Sequence, residues 1–208
     1  MLKRWVARNF RNPAGLLGRL VGKLMLKGNS RAVVWTVGLM DIAVDDHVLE
    51  IGYGPGFGIE RAALVANKGQ IKGLDISATM RAAASKRNRR VIEAGQVELR
   101  TGDVHTMPYA GHIFDRAFSV HCIYFWQRPL AALQEIRRVL RPGGALGITI
   151  LSRTRWQQVK TVPPPDLFTL YEPSEVVALM QAAGFKNVQA KDAAQADGLR
   201  CACIVGTR

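Results

Sequence analysis

Acidic residues are scarce. Asp and Glu number 16 against 29 Lys and Arg, which leaves a formal net charge of +13. From Met1 to Met40 no acidic residue occurs. Such an excess suits polyanions, anionic membrane surfaces or acidic substrates, and a distributed positive surface serves solubility alone, so the placement of the charge matters more than its total. Cysteine is nearly missing: only Cys122, Cys201 and Cys203 occur. The Cys201-x-Cys203 pair lacks two further ligands at compatible spacing, so no metal is expected and the pair reads as reduced, buried thiols in an apolar strand. No apolar run reaches membrane-spanning length. The basic N-terminus is not followed by a long apolar core and a small-residue cleavage site, so the expected location is cytoplasmic. There is no internal repeat and no low-complexity tail. The Gly-Lys-Ser/Thr triplet of a phosphate loop is also missing. With 208 residues, 48% of them hydrophobic, the chain suits one domain with a sizeable core and some additional segment.

What is present centres on residues 46–60. Val48, Leu49 and Ile51 form a short apolar run, the mark of a strand buried on both faces. Gly52, Gly54, Gly56 and Gly58 follow, and Ile59–Ala66 reads as a helix. Glycines let backbone N–H groups approach a ligand closely, and the helix N-terminus behind them favours negative charge. The dinucleotide fingerprint Gly-x-Gly-x-x-Gly, counted from Gly52 and Gly54, fails at Phe57. A second strand, Gln70–Leu74, ends in Asp75. A carboxylate there, about 20 residues beyond the glycine turn, is where ribose hydroxyls fall in such folds. Its competing use is as N-cap of a helix starting near Ala78, for which Ser77 is also suited. That helix carries Arg81, Lys86, Arg87, Arg89 and Arg90, a solvated face or an anion-binding patch.

Upstream, residues 1–43 read as a basic helical cap. Pro13 opens an amphipathic helix through Leu16, Leu17, Leu20 and Leu24, and Asn29-Ser30 offers an N-cap for a helix over Arg31–Met40 with Val33, Val34, Val37 and Met40 inward. Basic amphipathic helices can pack on a domain, cover a substrate pocket, or bind an anionic membrane surface. Downstream come strands over Val97–Arg100 and Phe114–Val120, a helix over Leu130–Leu140, and a strand over Ala145–Leu151. After an irregular stretch at 152–172, a helix capped by Ser174 and strands near Phe185–Ala190 and Leu199–Val205 close the chain. The fourth strand ends in His121, Cys122, Ile123, Tyr124, Phe125 and Trp126. Ligands bind outside strand C-termini in such sheets, which makes His121, Tyr124 and Trp126 the candidate substrate pocket. His121 is the candidate base, against a plain hydrogen-bonded histidine in an aromatic wall. His105 is a weaker rival.

Glu50-x-Gly52-x-Gly54-x-Gly56, Asp75, Gly102-Asp103-Val104, Met107-Pro108-Tyr109, Phe114-Asp115-Arg116-Ala117 and Leu140-Arg141-Pro142-Gly143-Gly144 occur in that order. Together they resemble the class I S-adenosylmethionine (SAM)-dependent methyltransferases. The nearest branch is the type 11-like one that includes quinone-biosynthesis and small-molecule enzymes. The resemblance covers roughly 44–208 and implies an α/β, Rossmann-like, doubly wound fold: a seven-stranded, mostly parallel sheet whose last strand is antiparallel. It implies that Glu50, Gly52, Tyr53, Gly54, Gly56, Asp75, Ile76, Met80, Asp103, Val104 and Ser119 bind the cofactor SAM. Asp103 would meet the adenine amino group and the Val104 N–H the ring. Tyr53 and Phe57 are larger than what often stands at those places. The implied reaction is direct displacement at the sulfonium methyl, driven by proximity and exclusion of water. The expected partner is a small-molecule acceptor, with 152–172 as a substrate lid. Two alternatives stay open: a lipid or quinone methyltransferase docked on a membrane through residues 1–31, and a non-catalytic SAM- or RNA-binding module. Against RNA stands the lack of interleaved aromatic motifs. Oligomeric state is not readable.

Overall fold

The computed structural model describes residues 28–158, 168–193 and 201–208. The basic helices expected before Gly28, the triple-proline stretch and the expected start of the last strand at Leu199 lie outside the described residues.

Residues 28–39 form helix α1. Asn29 and Ser30 are already helical, so they do not cap it. Ala32, Val33, Thr36, Val37 and Met40 are buried, whereas Val34 faces solvent. At 3.6 residues per turn, a face through Val33, Val37 and Met40 admits Thr36 and turns Val34 outward. The Thr36 hydroxyl donates to Ala32 O and lies 2.5 Å from Thr149 Oγ1, which pins α1 to the sheet.

The elements then alternate: β1 (His47–Ile51), α2 (Phe57–Val65), β2 (Gln70–Asp75), α3 (Ala78–Arg87), α4 (Arg89–Glu93), β3 (Val97–Thr101), β4 (Phe114–Val120), α5 (Pro129–Val139), β5 (Leu140–Ile150), α6 (Arg153–Gln157), α7 (Pro173–Ala182), β6 (Lys186–Asp192) and β7 (Ala202–Thr207). The strand order is β3-β2-β1-β4-β5-β7-β6. All neighbours are parallel except the two pairings of β7. The antiparallel last strand is therefore as the resemblance implies. Val48 and Leu49 are fully buried between β2 and β4. One apolar cluster packs α1, α2 and α3 on one face; the other packs α5 and α7 on the opposite face.

Further local expectations change, and the stretch expected to be irregular from Ser152 holds the short helix α6, capped by the Ser152 side chain. The basic helix after Ser77 breaks at Asn88, whose side-chain amide donates to Gly56 O and Ala84 O, both at 3.0 Å. A short amide competing for backbone carbonyls is a known way to end a helix. Helix α7 is capped by Glu172, not Ser174: Glu172 and Glu175 form a reciprocal capping box, with Pro173 in the first turn. Strand β5 begins at Leu140, and the residues between Leu140 and Ala145 bulge out of its ladder with β4.

Candidate functional site

The chain runs outward from β1 through β2 to β3, then crosses back to β4 on the other side of β1. That reversal opens a crevice beyond the strand ends, the usual ligand position in an open parallel sheet. A cleft enclosing about 820 Å³ of empty space, its open mouth included, lies there. Gly52 and Gly54 line it from β1, Asp75 and Ile76 from β2, Met80 from α3, Asp103 and Val104 from the loop after β3, and His121 and Trp126 from beyond β4.

Two glycines of the loop have no room for a side chain. Gly52 has φ +73°, and a Cβ there would sit 2.4 Å from Cys122 Sγ. Gly56 has φ +81°, and a Cβ would meet Ala84 Cβ at 2.7 Å. The first glycine thus keeps the cleft floor open, and the second lets the loop press onto α3. Gly56 itself lies outside the cleft, as a packing residue.

Asp75 is buried at the centre. Its Oδ2 accepts the Gly54 N–H and its Oδ1 the Ser77 N–H, each at 2.8 Å. Ser77 caps α3 by accepting the Met80 N–H, so Asp75 is not the cap. A carboxylate offers about four acceptor positions, and these two bonds leave capacity for hydroxyl groups in the cleft. Burial raises the Asp75 pKa, and the two N–H bonds oppose that rise. Asp103 accepts the His105 N–H at 2.9 Å as an Asx turn while its carboxylate lines the cleft.

Glu50 and Tyr53 line a second, smaller hollow on the other side of the loop, shared by Gly52 and Gly54 and walled by α1. Burial, followed by the charge of Asp75, holds the Glu50 carboxyl well above its ordinary range. Glu50 Oε2 is buried without a hydrogen-bond partner among the described residues. Tyr53 donates its hydroxyl to Arg100 O at 3.2 Å. Ser119 is fully buried and donates to Ile51 O at 2.9 Å, a tie between β4 and β1 rather than a cleft wall.

At the far end, His121 has φ +54°. Desolvation pushes its pKa down to about 4. The ring is therefore neutral at pH 7, a hydrogen-bonding group and only a weak base. Tyr124 does not line the cleft; it is buried behind His121, with its hydroxyl on Leu151. His105 holds Asp103 through Nδ1 and accepts the Arg128 N–H through Nε2, so both of its nitrogens are occupied. For a chain of charge +13 the cleft is unusual: among the described residues its lining contains two carboxylates and no Lys or Arg. Among the described residues no group of three or more His, Cys, Asp or Glu is placed to hold a metal ion.

A family model described as a methyltransferase domain matches residues 49–148, the span from β1 to β5 that builds this cleft. The chain belongs to the class I SAM-dependent methyltransferases. The cofactor of this methyltransferase is SAM. It is 26% identical over 169 residues to a Bacillus subtilis protein named uncharacterized methyltransferase YdaC, covering 81% of this chain and 87% of that one. It is 28% identical over 158 residues to O-methyltransferase resE of Aspergillus sclerotiorum, covering 70% of this chain but 57% of that protein. In fold it is similar to a SAM-dependent methyltransferase from Aquifex aeolicus, with a TM-score of 0.70 at 20% identity over 98% of this chain and 97% of that one.

Residues not assigned to the site from the sequence also line the cleft of the methyltransferase, Gln127 and Gly102 among them. Gly102 carries a readable signal, its place in the Gly102-Asp103-Val104 motif, and in the structure a Cβ there would lie 2.8 Å from Leu74 Cδ1. Gln127 carries none, because it reaches the site through the turn after Phe125.

Proposed function

We propose that this methyltransferase transfers the sulfonium methyl of SAM to a small-molecule acceptor. The carrying observation is that the described residues lining the cleft include two carboxylates and no Lys or Arg in a strongly basic protein. SAM bears a sulfonium and an ammonium, and carboxylates in a partly desolvated site favour such a ligand. The residues present fit it. Asp75, held by Gly54 and Ser77, would accept from the ribose hydroxyls. Asp103 and Val104 would hold the adenine. Gly52 and Gly54 would lie under the amino-acid end, with Glu50 Oε2, which has no partner among the described residues, in the hollow beyond.

When bound, SAM supplies an electrophilic methyl group, so the protein needs no covalent nucleophile. Its task is to hold the acceptor in line and exclude water, and orientation of this kind contributes about 7–11 kcal/mol in well-positioned reactions. Phe125 and Trp126 give the acceptor end an apolar wall. The fungal relative's name, O-methyltransferase, supports an oxygen acceptor. The test is calorimetric titration with S-adenosylhomocysteine (SAH), followed by native mass spectrometry of the protein for a copurifying small molecule. No measurable SAH binding would end this reading.

A second reading keeps the chemistry and changes the location. The acid-free stretch from Met1 to Met40 suits docking on anionic lipid, which brings a lipid or quinone acceptor within reach. Deleting residues 1–28 and measuring binding to anionic vesicles separates the two.

A further inference from the structure

His121 and Tyr124 form a pair whose proton positions follow from counting donors. Their rings are nearly parallel, 13° apart in plane, and His121 Nδ1 lies 3.3 Å from Tyr124 Oη. A phenol has one proton to donate. Tyr124 Oη stands 3.1 Å from Leu151 O and accepts the Leu151 N–H at 2.5 Å. If the phenol proton went to His121, Leu151 O would have no donor among the described residues. If it goes to Leu151 O, the shorter of the two contacts, then His121 Nδ1 carries a proton and donates it to Oη. His121 Nδ1, Tyr124 Oη and both backbone groups of Leu151 are then satisfied. Trp156 stands edge-on to the Tyr124 ring, and its buried indole N–H meets no acceptor within hydrogen-bond distance among the described residues. His121 Nε2 has no protein partner among the described residues. His121 lines the cleft, where Nε2 is the ring nitrogen left to meet a ligand.

We propose that Tyr124 is a positioning residue that holds His121 as the Nδ1–H tautomer, so that Nε2 presents a fixed lone pair to the methyl acceptor and selects a neutral hydroxyl-bearing molecule over a carboxylate. The inference rests on the reading that the acceptor sits at this end of the cleft. A neutral imidazole acceptor orients an incoming O–H by hydrogen bond, whereas an ionised carboxylate has nothing to donate and meets a lone pair. His105 cannot do this, because its two nitrogens are taken by Asp103 and the Arg128 amide. The backbone agrees with a dedicated role: His121 holds a left-handed conformation that costs free energy and persists where the surroundings enforce it. The low basicity agrees too, because the ring stays uncharged throughout the neutral range.

The test uses full-length protein labelled with ¹⁵N-histidine, with and without SAH. His121 signals are assigned through His121→Asn, since Asn tolerates positive φ. Long-range ¹H–¹⁵N spectra should show Nε2 as the unprotonated nitrogen and Nδ1 as the protonated one. In Tyr124→Phe the ratio should move toward the Nε2–H form, with SAH affinity unchanged within about twofold. Phenol and benzoate serve as hydroxyl and carboxylate probes on SAH-loaded protein. Phenol should bind roughly fivefold more tightly to the wild type, the size of one net hydrogen bond. In Tyr124→Phe that preference should shrink or reverse. An Nε2–H tautomer in the wild type, or tighter binding of benzoate than phenol, overturns the proposal. The wild-type spectra decide even if Tyr124→Phe fails to fold. Absence of SAH binding would sink the proposed function instead, while the nitrogen shifts would still report the tautomer.

Discussion

Asp75 Oδ2 accepts the backbone N–H of Gly54 at 2.8 Å, so the end of β2 is fastened to the glycine loop after β1. The same carboxylate shapes the loop and faces the cleft. Asp75→Ala should therefore weaken SAH binding by at least about tenfold, the cost of one lost charge-assisted hydrogen bond. Titration calorimetry measures it, and unchanged affinity would remove Asp75 from the ribose.

Two glycines separate backbone cost from steric cost. Gly56 and Gly143 both have φ near +80°. An Ala at either would pay about 1–2 kcal/mol for the left-handed conformation. Only Gly56 also meets a wall, at Ala84. Gly143 has open space. Gly56→Ala should be clearly less stable than Gly143→Ala in urea unfolding, and equal midpoints would contradict the packing of the loop on α3.

Glu50 gives a pH-dependent prediction. Its folded pKa is raised well above 4.5. The folded chain then binds that proton more tightly than the unfolded chain does. The stabilisation is complete below about pH 4.5 and is lost as pH rises through the folded pKa. Glu50→Gln removes the loss. Its melting temperature should exceed that of the wild type by a few degrees at mildly alkaline pH, and the gap should close near pH 4.5. If Glu50 meets the cofactor's ammonium, the same variant should bind SAH less well.

His121 acts in the opposite direction. Its pKa falls from 6.5 to about 4 on folding. The unfolded chain binds the proton more tightly, so this stabilisation is present above pH 6.5 and lost as pH drops toward 4. His121→Asn should lose less melting temperature than the wild type on acidification across that window.

Thr36 and Thr149 hold α1 against β5 through a buried pair of hydroxyls. Thr36 spends its proton on Ala32 O, so Thr149 is the donor between them. Thr36→Val should cost about 1–3 kcal/mol by leaving Thr149 without its acceptor, and the Thr36→Val/Thr149→Val double variant should recover much of it. A double-mutant cycle in chemical denaturation reads the coupling.

Much of the site was legible because its signals are local. The glycine turn needs positive φ at Gly52 and Gly56, and few other residues supply it. Asp75 stands one strand, turn and helix further along, a spacing that the geometry of a parallel unit imposes. Tyr124 was not legible as a support for His121, because its second partner, Leu151, is 27 positions away. The break at Asn88 was hidden for the same reason: its acceptor Gly56 O is 32 positions back.

The amino-acid order by itself determined the succession of the strands and of the longer helices, though not the break at Asn88 or the short α6, together with the antiparallel finish implied by the family pattern and the glycine loop with its following acid. Those depend on backbone preference and on periodicities of two and 3.6 residues, which act over a few neighbours. The three-dimensional packing alone decided that Ser77 rather than Asp75 caps α3, that Glu50 is buried with one oxygen lacking a partner among the described residues, and that of the two histidines lining the cleft His105 has both nitrogens engaged by described residues while His121 has one. Burial and hydrogen-bond pairing arise only when distant segments share the same small volume, and no local pattern records which segments those will be.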